Sequence, residues 1–206
     1  MKRYAFIDVQ NTASTTQKML GFVIDWSKLC DYLKNKQSCS EINLYTGIAN
    51  GDIETANEFD LLSKISCCNV KSKAVMAYKN KDKTFATKCP NCGEENIQTV
   101  DMGYRKKSNC DVELSTDVME KSGPNVELWI FTGDGDFEYL IRKALEKGVS
   151  KVSVVSYAEK QIKAGLTLAI FSTKLRDLIA EKKDKVFYIS LKDLKDRIKK
   201  DIQISN

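Results

Sequence analysis

The stretch TGDGD at residues 132–136 places two carboxylates, Asp134 and Asp136, next to glycines. It follows the apolar run VELWIF (126–131), and apolar residues at helical spacing come directly after it. Glycine permits backbone conformations and close approaches that a Cβ would prevent, so this turn is suited to presenting both carboxylates to a ligand. A helix N-cap with an acidic first turn would produce the same pattern and needs only one Asp. The choice depends on whether other carboxylates fold to the same place.

Further carboxylates occur in two other parts of the chain. Asp8 and Asn11 lie at the end of, and just after, the apolar run YAFIDV (4–9). Asp111 opens the segment DVELSTD, which also contains Asp117. Three basic residues stand just before it and could hold a phosphate group, namely Arg105, Lys106 and Lys107.

The 206 residues contain no histidine. A Ser-His-Asp triad, a Cys-His nucleophile pair and a His-ligated zinc site are therefore excluded. Catalysis would have to use carboxylates, lysines, hydroxyls, thiols or metal-bound water. The net charge of +5 permits a polyanionic partner without requiring one.

Apolar periodicity predicts strands that alternate with helices. The predicted strands are residues 4–9, 42–49, 70–78, 126–131, 152–157 and 186–190. The predicted helices are residues 25–36, 52–66, 111–121, a stretch from 137 onward, about 159–181, and a closing helix that begins at Ser190 or Asp193. A Thr/Ser-rich loop is expected after Asn11. This alternation is typical of βαβ units and predicts one domain over residues 1–206, a three-layer α/β/α fold of Rossmann-like type with a mainly parallel sheet.

The strand order decides which side chains meet. In the common order 3-2-1-4-5, the first strand lies beside the 126–131 strand, at the point where the strand order reverses and open α/β sheets bind ligands. We therefore expect one crevice to contain Asp8, Asn11, Thr132, Asp134 and Asp136. The helix beginning at Asp111 would bring that carboxylate to the same edge, whereas the direction of Asp117 is left open.

Four carboxylates in one crevice would repel one another, and some would have to take up protons. Mg²⁺ or Mn²⁺ resolves this because it takes hard oxygen ligands and keeps open positions for water and phosphate oxygens. The predicted metal ligands and catalytic residues are Asp8, Asp111, Asp134 and Asp136. Asn11 and Thr132 would orient water or the ligating carboxylates, with Asp117 as a further supporting residue. The expected chemistry is phosphoryl transfer.

Three motifs in this order resemble the NYN domain family of PIN-like ribonucleases, including its LabA-like branch. They are FIDVQN, a lysine followed by DVELSTD, and FTGDGDFEYLI. The resemblance covers most of the first 160 residues. It implies a PIN-like α/β/α sheet, Mg²⁺ or Mn²⁺ held by the acidic residues, and an endonuclease that cleaves RNA phosphodiester bonds. RNA, whether single-stranded or structured, is thus the expected partner.

Two other functions fit parts of the pattern. An RNA-binding or regulatory module could keep the acidic crevice while cleaving RNA slowly or not at all, because a fold does not establish an activity. A haloacid-dehalogenase-type phosphatase also has an Asp after its first strand and a late Gly-Asp-Gly motif. That enzyme needs a second carboxylate two residues after the first, where this chain has Gln10.

Residues 79–107 interrupt the alternation with a lysine-rich stretch that contains the motif CPNCG, and they predict an inserted hairpin or loop. Cys89 and Cys92 form half a zinc ribbon, and a structural zinc site needs four ligands. The remaining two ligands would have to be drawn from Cys67, Cys68 and Cys110, or be the same cysteine pair of a second chain. A tight turn left by an incomplete site is favoured over a structural zinc. The insertion could also form a homodimer contact.

Three aromatic residues flank the lysines of this insertion, Tyr78, Phe85 and Tyr104. They could stack on RNA bases between phosphate contacts, or they could simply pack the hairpin against the domain. The sequence leaves both interpretations open.

The composition predicts a soluble, cytoplasmic protein with no membrane partner. No apolar run approaches the roughly 20 residues that cross a bilayer. The chain begins directly with MKRYAFIDV, which lacks the pattern of a signal peptide. Its seven cysteines are accordingly expected to be reduced thiols.

Overall fold

The computed structural model describes residues 1–107, 109–163 and 166–201, with the backbone alone at 105–107, 163 and 166. The strands are β1 (Lys2–Asp8), β2 (Glu41–Ile48), β3 (Cys68–Ala74), β4 (Met76–Lys79), β5 (Lys83–Lys88), β6 (Glu95–Val100), β7 (Tyr104–Lys107), β8 (Val126–Phe131), β9 (Lys151–Ser156), β10 (Gln161–Lys163), β11 (Leu166–Leu168) and β12 (Val186–Ser190). The helices are α1 (Val9–Thr15), α2 (Trp26–Asp31), α3 (Ile53–Ser63), α4 (Asp111–Lys121), α5 (Phe137–Glu146), α6 (Thr173–Glu181) and α7 (Leu191–Ile198). Wider π-helical turns continue α1 over Thr16–Leu20 and α2 over Tyr32–Lys36.

Six strands form the central sheet in the order β12-β9-β8-β1-β2-β3, and every neighbouring pair is parallel. The predicted order is therefore confirmed, with a sixth strand added beyond β9. The chain runs outward from β1 to β3 and then crosses back to β8 on the other side of β1. Because β1 and β8 lie at this reversal, a crevice opens between their carboxyl ends.

Side chains alternate between the two faces of the sheet, and both faces are buried. On one face, Ile7, Leu44 and Phe131 pack against helices α2, α3 and α7. On the other face, Phe6 and Ile130 pack against α4, α5 and α6. These two cores make three layers, which confirms the predicted α/β/α fold class. Within the described residues, no helix is long and apolar enough to span a bilayer.

The long helix predicted over residues 159–181 is wrong. The first part of this stretch is the antiparallel pair β10–β11, in which Ile162 lies opposite Thr167, and only α6 is helical. Ser172 fixes the start of α6 because its hydroxyl accepts a hydrogen bond from the N–H of Lys174 at 3.2 Å. The apolar residues before Ser172 alternate with a period of two, which is the pattern of a strand.

The Thr/Ser-rich loop predicted after Asn11 is also wrong, because these residues form α1. Helix propensity alone is low here, but tertiary contacts override it. The hydroxyl of Thr12 donates to the carbonyl of Asp8 at 2.7 Å, and it lies 3.3 Å from the carbonyl of Phe131. Thr12, Thr15 and Thr16 are buried, so the polar helix packs against the sheet.

The predicted insertion is a hairpin arm outside the central sheet, and it begins a few residues earlier than expected. Strands β4 and β7 pair to form its base, and β5 and β6 pair to form its outer part. The CPNCG motif makes the turn that joins β5 to β6. Every residue of β5 and β6 is exposed, so this outer part does not pack against the domain.

Candidate active site

A cleft of about 390 Å³ lies at the carboxyl ends of β1 and β8. Four aspartates from three separate segments line it, Asp8, Asp111, Asp134 and Asp136. Its other lining residues are Gln10, Asn11, Ser14, Tyr45, Thr46, Asn109, Cys110, Leu114 and Ile170. No Lys or Arg occurs among the described residues that line it. The structure thus brings together the four carboxylates that the sequence predicted would meet.

Asp8 ends β1 and caps α1, where its carboxylate accepts a hydrogen bond from the N–H of Asn11 at 3.0 Å. The register of the sheet places it opposite Tyr45 of β2. The pKa of Asp8 is raised to about 6; burial is the largest cause, the negative charges of Asp111 and Asp134 also raise it, and the hydrogen bond from Asn11 lowers it in part. The charged form of this carboxylate is therefore disfavoured where it stands.

The turn after β8 is held by three short hydrogen bonds. The side-chain oxygen of Asn11 accepts from the N–H of Gly133 at 2.9 Å, which ties α1 to this turn. The hydroxyl of Thr132 accepts from the N–H of Asp134 at 3.1 Å, and the carboxylate of Asp134 accepts from the N–H of Asp136 at 3.0 Å. Asn11 and Thr132 thus position the backbone that carries both carboxylates, as a supporting role requires.

Both glycines of the turn are required by close packing. A Cβ on Gly133 would lie 2.9 Å from the hydroxyl of Ser156 and 3.2 Å from the carbonyl of Ile170. A Cβ on Gly135 would overlap the hydroxyl of Ser172 and lie 3.0 Å from its Cβ. The start of α6 and the segment before it therefore press against the acidic turn, a contact that the sequence analysis missed because it predicted one continuous helix there.

Asp111 is the first residue of α4, and its N–H donates to the side-chain oxygen of Asn109 at 2.8 Å. A carboxylate is favourable at this end of the helix because the helix dipole is positive there. Lys73 of β3 lies nearby, since it forms an ion pair with Glu113 at 2.6 Å and donates to the carbonyl of Asn109 at 3.2 Å. Sequence reasoning missed Lys73 and Asn109, whose approach depends on the packing of α4 beside β3.

Asp117 does not line the cleft. The hydroxyl of Tyr45 donates to its carboxylate at 2.6 Å, and Lys71 forms an ion pair with it at 2.7 Å. Burial and the hydrogen bond to Asp117 raise the pKa of Tyr45, so the phenol keeps its proton. Asp117 therefore ties α4 to β2 and β3 from behind the cleft.

The predicted phosphate contacts cannot be placed. The backbone of Arg105, Lys106 and Lys107 belongs to β7, but their side chains lie outside the described part of the chain. The aromatic residues Tyr78, Phe85 and Tyr104 are all exposed, so none of them packs the arm against the domain.

The donor atoms of the cleft suit a hard divalent cation. Four carboxylates line one cleft, and burial, with smaller contributions from the charges of Asp111 and Asp134, raises the pKa of Asp8, a cost of ionisation that such a cation would relieve. In the part of the chain that the structure describes, however, no three of the Cys, Asp and Glu side chains are grouped to hold a metal ion. The cleft therefore offers the oxygen donors that a hard divalent cation prefers, and they are more widely spaced than the ligands of a bound metal ion.

The family model and one solved structure agree with this architecture. The family model for the NYN domain matches residues 3–170. A crystal structure of a protein of unknown function from Vibrio parahaemolyticus shares the fold with a TM-score of 0.61 at 18% identity, covering 96% of this chain and 95% of that one. Phosphofructokinase-2 from Escherichia coli, in complex with potassium, aligns at a TM-score of 0.32 and 16% identity over 57% of this chain and 38% of that one. A search of curated proteins gives no match. Because the family model spans most of the sequence, the chain belongs to the NYN domain family, a branch of the PIN-like ribonuclease superfamily with a nuclease-like fold.

Proposed function

We propose that this protein is a metal-dependent ribonuclease that cleaves RNA phosphodiester bonds internally. The observation that carries the proposal is the meeting of Asp8, Asp111, Asp134 and Asp136 in one cleft at the reversal of the sheet. Asp8 caps α1 and the helix dipole favours Asp111 at the start of α4, but neither role requires carboxylates from three distant segments to share one cleft. Membership of the NYN family supports RNA as the substrate.

These four aspartates would hold Mg²⁺ or Mn²⁺. When bound, the ion would neutralise charge on the phosphate and lower the pKa of a coordinated water. Asn11 and Thr132 keep the Asp134 turn in place through the N–H groups of Gly133 and Asp134. The geometry of the acidic turn is thereby set before substrate arrives, which favours catalysis.

The RNA would reach the cleft from the side on which Asp134 and Asp136 are exposed. The amides of Gln10 and Asn109 and the hydroxyl of Ser14 line the wall, where they could donate hydrogen bonds to phosphate or ribose oxygens. Arg105, Lys106 and Lys107 precede the cleft in the chain, and we propose that they contact phosphates flanking the cleavage position.

A second candidate function is an RNA-binding or regulatory module of the same fold. The observation that favours it is the open arrangement of the acidic side chains, which within the described residues form no ready metal site. If this candidate is correct, the protein binds RNA through the same surface and releases it intact.

The test measures cleavage of a labelled, single-stranded, circular RNA with Mn²⁺, with Mg²⁺ and with a chelator. A circle has no ends, so its linearisation reports internal cleavage alone. We expect wild-type protein to linearise the circle only when a divalent ion is present, and we expect Asp134→Asn to lower the rate at least about 100-fold.

The matched control is Asp177→Asn, which removes an exposed carboxylate of α6 that does not line the cleft. This variant should cleave at the wild-type rate. Binding of the circle without linearisation under all ion conditions would replace the nuclease with the binding module. Cleavage that persists in Asp134→Asn would refute the proposed site.

A further inference from the structure

The tip of the hairpin arm has the backbone geometry of a metal-binding knuckle. At the turn between β5 and β6, the N–H of Cys89 donates to the carbonyl of Glu94, and the N–H of Gly93 donates to the carbonyl of Cys89, both at 2.9 Å. Gly93 has a φ of +73°, which a residue with a Cβ rarely adopts. The turn thus folds Cys89 and Cys92 back towards each other with the C-x₂-C spacing of structural zinc sites.

The turn also prepares one thiol for metal binding. The backbone N–H groups of Cys92 and Asn91 donate hydrogen bonds to the sulfur of Cys89, and such donors stabilise a thiolate. Thiolate, and not thiol, is the form that binds metal. Cys89 is only partly exposed, whereas Cys92 is open to solvent.

Two thiolates provide only half of a structural zinc site, which is closed by four ligands. The other five cysteines belong to the domain body. Cys30, Cys39, Cys68 and Cys110 are buried, and Cys67 packs against the same core as Cys68. In the described ranges, no third Cys, Asp or Glu is grouped with the pair at the tip. The missing ligands must therefore come from outside this pair.

The exposure of the arm indicates the source of the two missing zinc ligands. None of the residues of β5 and β6 is buried, and Phe85, Ile97 and Val100 present apolar surface to solvent. A lone two-stranded hairpin is marginally stable in water, so an arm that does not pack on its own domain needs another partner. The residues of the turn are exposed apart from the partly exposed Cys89, so a second copy could reach the tip.

We propose that the CPNCG knuckle binds Zn²⁺ together with the same knuckle of a second copy of this chain. The site is a tetrathiolate made of Cys89 and Cys92 from each copy, and it joins two arms tip to tip. The contact is isologous, as a two-fold axis through the ion requires. This metal site lies outside the acidic cleft and is independent of the ribonuclease activity proposed above.

The test determines the zinc content and the solution mass of the full chain purified with added zinc and without chelator. We expect one zinc per two chains by elemental analysis and a mass twice the 23.3 kDa of one chain by light scattering. A zinc chelator should release both the metal and the dimer, whereas a reductant should release neither. Cobalt in place of zinc should give the visible absorption of tetrahedral thiolate coordination.

The informative variants are Cys89→Ser and Cys92→Ser, which should each be monomeric and free of zinc. Cys67→Ser is the matched control, because this thiol lies in the body, and it should keep the zinc and the dimer. Circular dichroism checks that all three are folded, and cleavage of circular RNA is measured separately to distinguish failure of this proposal from failure of the ribonuclease. One zinc per monomer, a dimer that survives chelation, or a dimer released by reductant would each overturn the shared site.

Discussion

The carboxylates at the two ends of strands β1 and β8 have opposite electrostatic surroundings. At the amino end, Glu127 is buried, and it accepts hydrogen bonds from Arg3 at 2.8 Å and from the indole of Trp129 at 2.9 Å. Lys151 lies 3.4 Å from the same carboxylate. At the carboxyl end, Asp8 has as its charged neighbours the aspartates Asp111 and Asp134. The sheet therefore has a carboxylate with cationic partners at one end of these strands, and a group of carboxylates that repel one another at the other end.

The pKa values express this difference. Burial alone would raise the pKa of Glu127, but the hydrogen bonds from Arg3 and Trp129 outweigh it and leave the pKa below its ordinary value. The backbone hydrogen bond from Asn11 lowers the pKa of Asp8 only in part, so burial and the charges of Asp111 and Asp134 leave it raised to about 6. A charge that lowers stability is retained in folded proteins chiefly at functional sites. The comparison thus separates an acid that supports the fold from one that serves a ligand.

The first prediction concerns removal of the Asp8 carboxylate at the carboxyl end of β1. Asp8→Asn should lower RNA cleavage at least about 100-fold, because it removes a proposed metal ligand. The same variant should raise the free energy of unfolding of the metal-free protein by about 1 kcal/mol, since a buried charge is removed. Asparagine remains a good N-cap, so α1 keeps its hydrogen bond from Asn11. Urea denaturation with a chelator present measures the gain.

Divalent metal provides the internal control for this prediction. Mn²⁺ should stabilise the wild type by binding only its folded form, and this gain should be smaller in Asp8→Asn. If the variant is less stable than the wild type without metal, the carboxylate is structural and the contrast between the two ends fails.

The second prediction concerns removal of Arg3, the cationic partner of Glu127 at the amino end of the strands. Arg3→Met leaves the buried carboxylate of Glu127 with the indole of Trp129 and the partly exposed Lys151 as its partners, and it also removes the hydrogen bond from Arg3 to the carbonyl of Gln37. We expect a loss of about 2 kcal/mol in the free energy of unfolding at neutral pH. RNA cleavage by the folded variant should be unchanged, because this edge lies at the opposite end of the strands from the cleft.

The pH dependence identifies the cause of that loss. Glu127 has a lowered pKa in the folded wild type, so its contribution is present above its unfolded pKa and is lost as pH falls through the folded one. The difference between wild type and Arg3→Met should therefore be full at pH 7 and shrink below about pH 4.5. A difference that stays constant over this range would attribute the loss to packing on Trp129 and not to charge.

The third prediction concerns how the acidic turn is held. Gly135→Ala should lower cleavage about tenfold, because the added Cβ displaces Ser172 or moves the turn that carries Asp134 and Asp136. Glycine in place of Ser172 removes the overlapping atoms and costs α6 only a few tenths of a kcal/mol as an N-cap. The double variant Gly135→Ala/Ser172→Gly should therefore recover activity. No recovery would place the cause in the turn's own backbone and not in its packing on α6.

The sequence was sufficient to predict the fold class, the strand order at the reversal and the meeting of the four aspartates, because these follow from strand–helix alternation and from the edge at which parallel strands end. It was not sufficient where tertiary contacts override local preference. Thr12 is a poor helix former whose hydroxyl lies 3.3 Å from the carbonyl of Phe131 in β8, and the apolar residues of β10 and β11 fit both a helical period and the period of two of a strand. The partners of Asp117 were also beyond prediction, since Lys71 reaches it only through the packing of α4 beside β3.

The smallest effect is expected at Asp117, and it tests the distinction between carboxylates that stabilise the fold and carboxylates that bind the ligand. Asp117 lies in the same motif as Asp111, but its ion pair with Lys71 and its hydrogen bond from Tyr45 make it resemble Glu127. Asp117→Asn should therefore cost about 1 kcal/mol of stability and change cleavage by less than about threefold. Thermal unfolding and initial cleavage rates measure the two effects. A loss of cleavage as large as that of Asp8→Asn, with stability unchanged, would show that Asp117 acts on the ligand. An ion pair with a lysine would then not be enough to identify a carboxylate as structural.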